Sequence, residues 1–450
     1  EGAKRGETNL KGKAMIAEGL TLSSQAMKIE DILFDKATGQ GGIKNYRGRQ
    51  IAEGSWDGAD DEQDHWKEKG VRASSAANRA KYTFHENTTL SVDAARDQDL
   101  VQGSSVDALS AYSPLMWGQW SEGEINMKGH DLTLSAGASK KYQRPDKSWT
   151  GAESVGLFVG GGTLEMKELG AFSIKAKDYG IQLLQHSNLY IKNAGDAAHA
   201  VKIESEDKGI YMKNHDGSAR LHIAGMVDIK APTGIVVDGG ELRIGGGKIV
   251  SRGQAALYVN SPGTAYINEK EDHDVQIEGD IQVKGSSAAA HIALTTKDSI
   301  LKGLFTTDMY TWPLHQWELA SGKGTLVLKN GGTWEHIKVG NVKQDKNGTA
   351  EVGDSRVSHL KSAGGIIRQK DKRKILIDKF SGDAKIYYDH KNDGTRAADY
   401  EAGDVNVDAA EANSRITMVT ENNGITMSNE NQVRKALNAL AGKLYYDGAK

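Results

Sequence analysis

The sequence contains no cysteine. That excludes disulfides, zinc fingers, iron–sulfur clusters and thiol catalysis. It also suits a chain exported unfolded, in which a premature disulfide would block passage. Proline is scarce, 5 residues in 450, whereas glycine reaches 53, well above the usual ~7%, so Gly and Asn must make the turns. No run approaches the ~18 consecutive apolar residues that a membrane span requires. Neither sign of charge dominates: 57 Lys+Arg against 60 Asp+Glu leave a net charge of −3, so no global attraction to nucleic acid or an anionic membrane is expected. The chain opens Glu1-Gly2-Ala3-Lys4 without the charged and apolar regions of a signal peptide; the expectation is an excised fragment.

What is present is a recurring strand code. Leu164-Glu165-Met166-Lys167 returns as Leu189-Tyr190-Ile191-Lys192, Ile210-Tyr211-Met212-Lys213, Ile235-Val236-Val237-Asp238, Leu257-Tyr258-Val259-Asn260 and Ile281-Gln282-Val283-Lys284, at intervals of roughly two dozen residues. Each unit is apolar-x-apolar-polar, the period-2 pattern of a strand with one buried face. A turn former follows in most units: Asn193, Asn214, Gly239, Ser261 and Gly285. Helical repeats would place apolar residues at i, i+3 and i+4, and a leucine-rich repeat would show its own frame; neither is present. A strand returning at a fixed phase predicts an all-β, right-handed parallel β-helix, a solenoid whose coils bury one continuous core by stacking. The apolar pairs from Leu164 to Val283 are expected to stack inward as one column, and Tyr190, Tyr211 and Tyr258 to stack outward.

The pattern divides the chain. Residues 1–52 read as first coils, with strands at Ala14 to Ala17 and Ile29 to Phe34. Residues 53–155 read as coils interrupted by polar excursions, one acidic and tryptophan-bearing at 53–80 and one at 138–155. Residues 156–428 read as regular β-helix. Over 429–446 the spacing of Val433, Leu437, Leu440 and Leu444, after Asn429 and Gln432, predicts a short C-terminal amphipathic helix with a capping box. The close, Asp447-Gly448-Ala449-Lys450, echoes the opening four residues, so 447–450 is expected to begin a further tandem unit.

Candidate chemistry is thin. Gly353-Asp354-Ser355 resembles a serine-protease signature, but Arg356 stands where glycine is needed. Gly129-His130-Asp131 lacks paired carboxylates. The acidic cluster Asp57 to Asp64 lacks the calcium-loop frame, and Glu271-Asp272-His273-Asp274 and the pair His215 and His222 read as polar turns. The triple glycines at 160–162 and 245–247 lack the lysine and helix of a phosphate loop. No catalytic residue, metal ligand or cofactor is assigned. The candidate binding surface is the outward polar flank: Lys192, Asn193, Lys213, Asn214, Asp238 and Asn260, together with Trp56 and Trp66 of the first excursion.

A resemblance adds to this reading. Gly324-Thr325-Leu326-Val327-Leu328-Lys329-Asn330-Gly331-Gly332-Thr333-Trp334, preceded by Trp312 and Trp317, resembles a unit of autotransporter passengers. Ser355-Arg356-Val357-Ser358-His359-Leu360 through Gly364-Gly365-Ile366-Ile367, then Ile377 to Gly382 with Tyr387-Tyr388-Asp389-His390, and Leu437 to Tyr446, are similar to its following segments. Over 256–450, and more loosely over 1–255, the chain resembles the passengers of large repetitive type V-secreted adhesins of diderm anaerobes. The resemblance implies a non-enzymatic, extracellular cell-surface module acting in aggregation, attachment or biofilm formation. Its outer-membrane barrel would lie outside this fragment, and its partners would be other bacterial cells or host surface and matrix molecules, with no nucleic acid. A carbohydrate-active β-helix lyase or hydrolase, and a purely structural stalk, are the alternatives.

Overall fold

The computed structural model describes residues 7–11, 14–17, 20–22, 32–35, 40–44, 50–57, 78–92, 105–112, 121–137, 140–143, 149–193, 195–214, 216–307, 309–311, 316–318, 322–340, 353–388, 403, 405–419, 437–438 and 444–449. Over these residues the chain is all-β, with one 3-10 turn at Ala197–His199 and no α-helix. It divides into two compact units, Glu1–Ala231 with Gly240–Leu242 and Pro232–Gly239 with Arg243–Lys450.

In the first unit, consecutive strands fall in rotation onto three parallel ladders. The first ladder stacks Asn78–Phe84, Ser121–Asn126, Gly162–Lys167, Ser187–Ile191 and 220–223. The second stacks Glu7–Lys11, Asn87–Val92, Leu132–Ala136, Phe172–Ala176, Val201–Ser205 and 227–230. The third stacks Ser105–Tyr112, 153–160, Tyr179–Leu183 and Lys208–Lys213. Rungs sit about 4.8 Å apart, so like residues form columns. Tyr82, Ile125, Met166, Ile191 and Ile223 form one, and Leu109, Leu157, Ile181 and Ile210 another; each residue is 1% exposed or less. Each such side chain contributes roughly 1.5–3 kcal/mol by leaving water.

The single column expected from Leu164 to Val283 is corrected here. Every apolar residue in it is buried, but Leu164 and Leu189 belong to the first ladder, whereas Ile210 lies on the third, beside Ile181. All three ladders face one interior and so use the same period-2 code. The residue before the apolar pair tells them apart. On three of the third ladder's four rungs it is glycine, Gly156, Gly180 and Gly209, with Ala108 on the other, and a Cβ on Gly180 would stand 2.5 Å from the Gly209 carbonyl oxygen.

The N-terminal region joins differently from the coils expected over 1–52. Among the described residues of this region, only Glu7–Lys11 pairs parallel, beside Asn87–Val92. Ala14–Ala17 pairs antiparallel with Leu20–Leu22, which lies antiparallel against Ser105–Tyr112. Ile32–Asp35, Gln40–Lys44 and Gln50–Asp57 form an antiparallel meander whose last strand borders Asn78–Phe84.

The second unit repeats the three-ladder arrangement. One ladder runs through 247–250, Val275–Glu278, Ile300–Lys302, Thr333–His336, 366–369, 385–388, Ser414–Val419 and Leu444–Ala449. Another holds Leu257, Ile281 and Phe305 side by side, and the third holds Ile267, Ile292, Leu326, Leu360 and Phe380. Asn330 and Gly331 turn the chain at φ of 52° and 86°, a left-handed pair that Asn and Gly tolerate best. The turn delivers Trp334 into the interior between Leu301 and Ile367, where its indole N–H donates to the Gly303 carbonyl at 3.0 Å. Trp317 lies in the strand Gln316–Glu318, paired antiparallel with Met309–Thr311; Trp312 lies outside the described residues.

The C-terminal helix expected over 429–446 is also corrected. Leu437–Asn438 and Leu444–Ala449 are strands, parallel to Val405–Ala410 and Ser414–Val419; the rest of that segment lies outside the described residues. The leucine spacing is compatible with a helix, but Leu444-Tyr445-Tyr446 also suits a strand. A sheet edge with unpaired backbone groups outweighs so weak a local preference.

Candidate functional site

The outward strand positions form polar columns. On the first ladder of the first unit, Lys192 is exposed and its Nζ lies 2.5 Å from Glu165 Oε1. Lys167 stands between Glu124, at 3.1 Å, and Glu165, at 3.5 Å. The hydrogen bond from Lys192 holds the Glu165 carboxyl below its ordinary range. Tyr190, Tyr211 and Tyr258 are half-buried at outward positions but do not stack on one another as expected: Tyr190 stands beside Glu165 and His222, Tyr211 beside Gln182 and Tyr258 beside Gln282. Tyr190 meets His222 edge-on at 5.2 Å, and His222 Nε2 lies 2.9 Å from Glu241 Oε1. Tyr211 meets Tyr179 at 5.1 Å, with Lys208 Nζ 5.1 and 5.4 Å from the two ring centres.

The other candidate residues divide. Lys213 is exposed. Asp238 and Asn260 are half-buried and bonded to each other, Asn260 Nδ2 donating to Asp238 Oδ1 at 2.8 Å. Asn193 is spent on the fold: its Nδ2 donates to the carbonyls of His199 and Met226, both at 3.1 Å, and its Oδ1 accepts the Gly225 N–H at 2.9 Å. Asn214 is not a surface residue. It is fully buried at its corner, where its Oδ1 accepts the Asp216 N–H at 3.3 Å. Turning inward satisfies backbone that the corner leaves unpaired. Trp56 lies in the strand Gln50–Asp57, and Trp66 lies outside the described residues.

Many corners obey one chemical rule that the strand code does not reveal. A short polar side chain on one coil accepts a backbone N–H of a neighbouring coil. Asn87 Oδ1 takes the Asp131 N–H at 2.9 Å, and Asp131 Oδ1 takes the Ala171 N–H at 2.7 Å. Ser187 Oγ takes the Gly161 N–H and Ser218 Oγ takes the His186 N–H, each at 2.8 Å. Asp131 of Gly129-His130-Asp131 is therefore a corner acceptor. The acidic turn at 271–274 is likewise organised by Asn268, whose Oδ1 accepts the N–H groups of Asp272 and His273, each at 3.0 Å. The signal in the sequence is an Asn, Asp or Ser just before the apolar pair or in the turn.

Among the described residues, a cluster with the order of a catalytic triad is buried in the second unit. Ser355 Oγ lies 2.7 Å from His336 Nε2, and His336 Nδ1 lies 2.6 Å from Gln369 Oε1. Gln369 Oε1 can only accept, so Nδ1 carries the proton and Nε2 accepts from the Ser355 hydroxyl. Ser355 Oγ also accepts the Phe305 N–H at 3.0 Å, and Gln369 Nε2 donates to the carbonyls of Arg373 and Gly403. Burial pushes the His336 imidazole down to about 4, although the Gln369 bond favours its charge. Ser355, His336 and Gln369 are each 0% exposed. In this position the hydroxyl, imidazole and amide tie three strands together and offer a substrate no approach. The sequence singled out Ser355 but not His336, which sits nineteen residues earlier and reaches it only through the fold.

The corners also carry insertions. Lys140–Gln143 pairs antiparallel with 149–152 as a hairpin between the second and third ladders, within the polar excursion expected at 138–155. Met309–Thr311 and Gln316–Glu318 form another. No protein-family model, curated protein or solved structure matches the chain.

Proposed function

We propose that this chain is an adhesive surface module, built as a right-handed parallel β-helix and displayed outside the cell in the manner of an autotransporter passenger. The observation that carries the reading is the rotation of successive strands onto three in-register ladders. Each turn of chain sends one set of side chains inward and repeats another set outward. Right-handedness follows from the general hand of parallel crossovers. The result is a set of regular polar flanks, with Lys192 exposed at the end of a first-ladder strand, Lys213 exposed on a third-ladder strand, and a hairpin inserted in each unit.

Such a flank works by number. A polar contact contributes a net of about 0.5–1.5 kcal/mol, so one coil binds weakly. Many coils per chain and many chains per cell raise avidity by orders of magnitude. The partners in this reading are other cells of the same or a co-aggregating species, and host surface or matrix molecules. The test is display on a non-adhesive cell through an outer-membrane barrel. Displayed cells should clump or attach, and less so as salt screens the exposed charges. If they do neither, the module is a stalk and the adhesive reading is wrong.

A further inference from the structure

We propose that the outward face of the third ladder in the first unit binds a neutral, flat glycan, a β-1,4-linked hexose chain, on the column Phe158, Gln182 and Tyr211. The three residues stand side by side on consecutive rungs. Their neighbours in sequence, Leu157, Val159, Ile181, Leu183, Ile210 and Met212, are each 0% exposed. Alternation therefore turns the column outward.

Two members of the column depart from what an outward position ordinarily holds. The first is Phe158. Phe84, Phe172, Phe305 and Phe380 are each 1% exposed or less, whereas Phe158 is only half-buried. The second is Gln182. It is 5% exposed, and its amide has no hydrogen-bond partner among the described residues. The sealed and unbonded polar atoms of those residues are Tyr82 Oη, Asn214 Nδ2, Thr307 Oγ1 and Ser414 Oγ, so the Gln182 amide still reaches the surface. A side chain so nearly buried presents a donor and an acceptor that the fold does not satisfy. The second unit repeats the arrangement. Gln282 stands between Tyr258 and Thr306, is 5% exposed, and has an amide likewise without a partner among the described residues.

The charges beside the column are engaged by the protein. Lys208 Nζ, which lies near the Tyr179 and Tyr211 rings, is 3.0 Å from Asp207 Oδ2. Glu153 Oε1 accepts the Tyr179 hydroxyl at 2.9 Å. These contacts hold Tyr179 edge-on to Tyr211 and pair the ammonium, so the column selects a neutral ligand.

What remains for a ligand is two aromatic rings with one primary amide between them. A sugar with equatorial hydroxyls matches both. Its C–H face packs on a ring, and two adjacent hydroxyls offer the amide one acceptor and one donor. A β-1,4-linked hexose chain is a flat ribbon that presents such faces at a regular advance, and the column is regular too, with rungs about 4.8 Å apart. A peptide strand is the poorer match. It joins a sheet through an open edge, and 153–160 and Tyr179–Leu183 are paired on both sides. The inference goes beyond the adhesive reading, because it adds to the charged flanks a contact that salt does not screen.

The experiment titrates the purified 450-residue chain with cellohexaose, and with maltohexaose, whose axial linkages coil the chain, as the mismatched sugar. Cellohexaose should bind at least about five-fold more tightly, with an affinity that added salt leaves within about two-fold. Gln182→Leu removes the amide at similar volume and should weaken binding about five-fold or more. Its thermal midpoint should not fall, because the amide it removes is unpaired, so the loss reads on binding and not on folding. Phe158→Ala should weaken binding to a similar degree. Tyr190→Ala, at a half-buried aromatic residue of the first ladder, should leave it within about two-fold. No binding of cellohexaose, equal binding of the two sugars, steep weakening by salt or full affinity in Gln182→Leu would overturn the proposal. Display separates it from the adhesive reading. If displayed cells clump while the purified chain does not bind cellohexaose, this inference falls and the adhesive reading stands. If they do not clump while the purified chain binds it, only the adhesive reading falls.

Discussion

His336 has both ring nitrogens occupied and no carboxylate in direct contact, so its cationic form has little to stabilise it. Trp334 lies edge-on at 5.3 Å, and the surrounding charges are Asp354, Asp371 and Arg373. The folded imidazole titrates at about 4, the unfolded one near 6.5. Above that upper value both states are neutral and the contribution is fully present. As pH falls from about 6.5 through 4 the unfolded state takes a proton that the folded state refuses, and about 3 kcal/mol is lost. Urea unfolding midpoints should therefore decline across that window in the wild type and less steeply in His336→Gln. Parallel declines would mean the ring is protonated in place. At the same scale the corner acceptors are individually modest, each worth about 1 kcal/mol, but together they meet the obligation that buried backbone be paired.

At the scale of the element, inward and outward faces separate sharply. Ile210 is fully buried beside Ile181, while Tyr211 is half-exposed against Tyr179 and Lys208. Ile210→Asp places an unpaired carboxylate in a dry column and should cost about 4 kcal/mol or prevent folding. Tyr211→Asp should cost about 1–2 kcal/mol, the loss of one ring contact and one cation contact. Thermal unfolding of the two variants checks this, and equal losses would mean the strand phase is wrong. The phase was legible from alternation alone, since Leu164, Met166, Leu189 and Ile191 are all inward. Ladder membership was not, because alternation records burial and not which neighbour lies above or below. The terminal strands were missed for a related reason: Leu437–Asn438 and Leu444–Ala449 are held by edges that the preceding coils supply.

For the whole molecule, charge of the two signs nearly balances, 57 Lys+Arg against 60 Asp+Glu. The ion pairs at Lys192–Glu165, Lys167–Glu124 and Arg252–Glu278 are at least partly exposed, and pairs of that kind contribute about 0–1 kcal/mol each. Raising salt to about 1 M, where the screening length falls to ~3 Å, should move the unfolding midpoint little. Clumping of displayed cells should fall over the same series. A large loss of stability in salt would instead assign these columns to holding the fold.

The sequence by itself determined the class of structure. Apolar-x-apolar units with Gly, Asn and Ser between them can bury one strand face and turn, and they do little else. It also determined which residues are inward, because a one-residue slip would expose the whole set. It marked 138–155 as a polar excursion, from the polar run between Ser139 and Pro145. Tertiary structure decided the rest. It distributed near-identical strand codes over three ladders, drew Asn214 inward and spent Asn193 on backbone, and joined His336 to Ser355 across nineteen residues of chain. Those outcomes depend on which unpaired N–H or carbonyl a neighbouring coil presents, and a linear pattern of apolar and polar residues does not encode that.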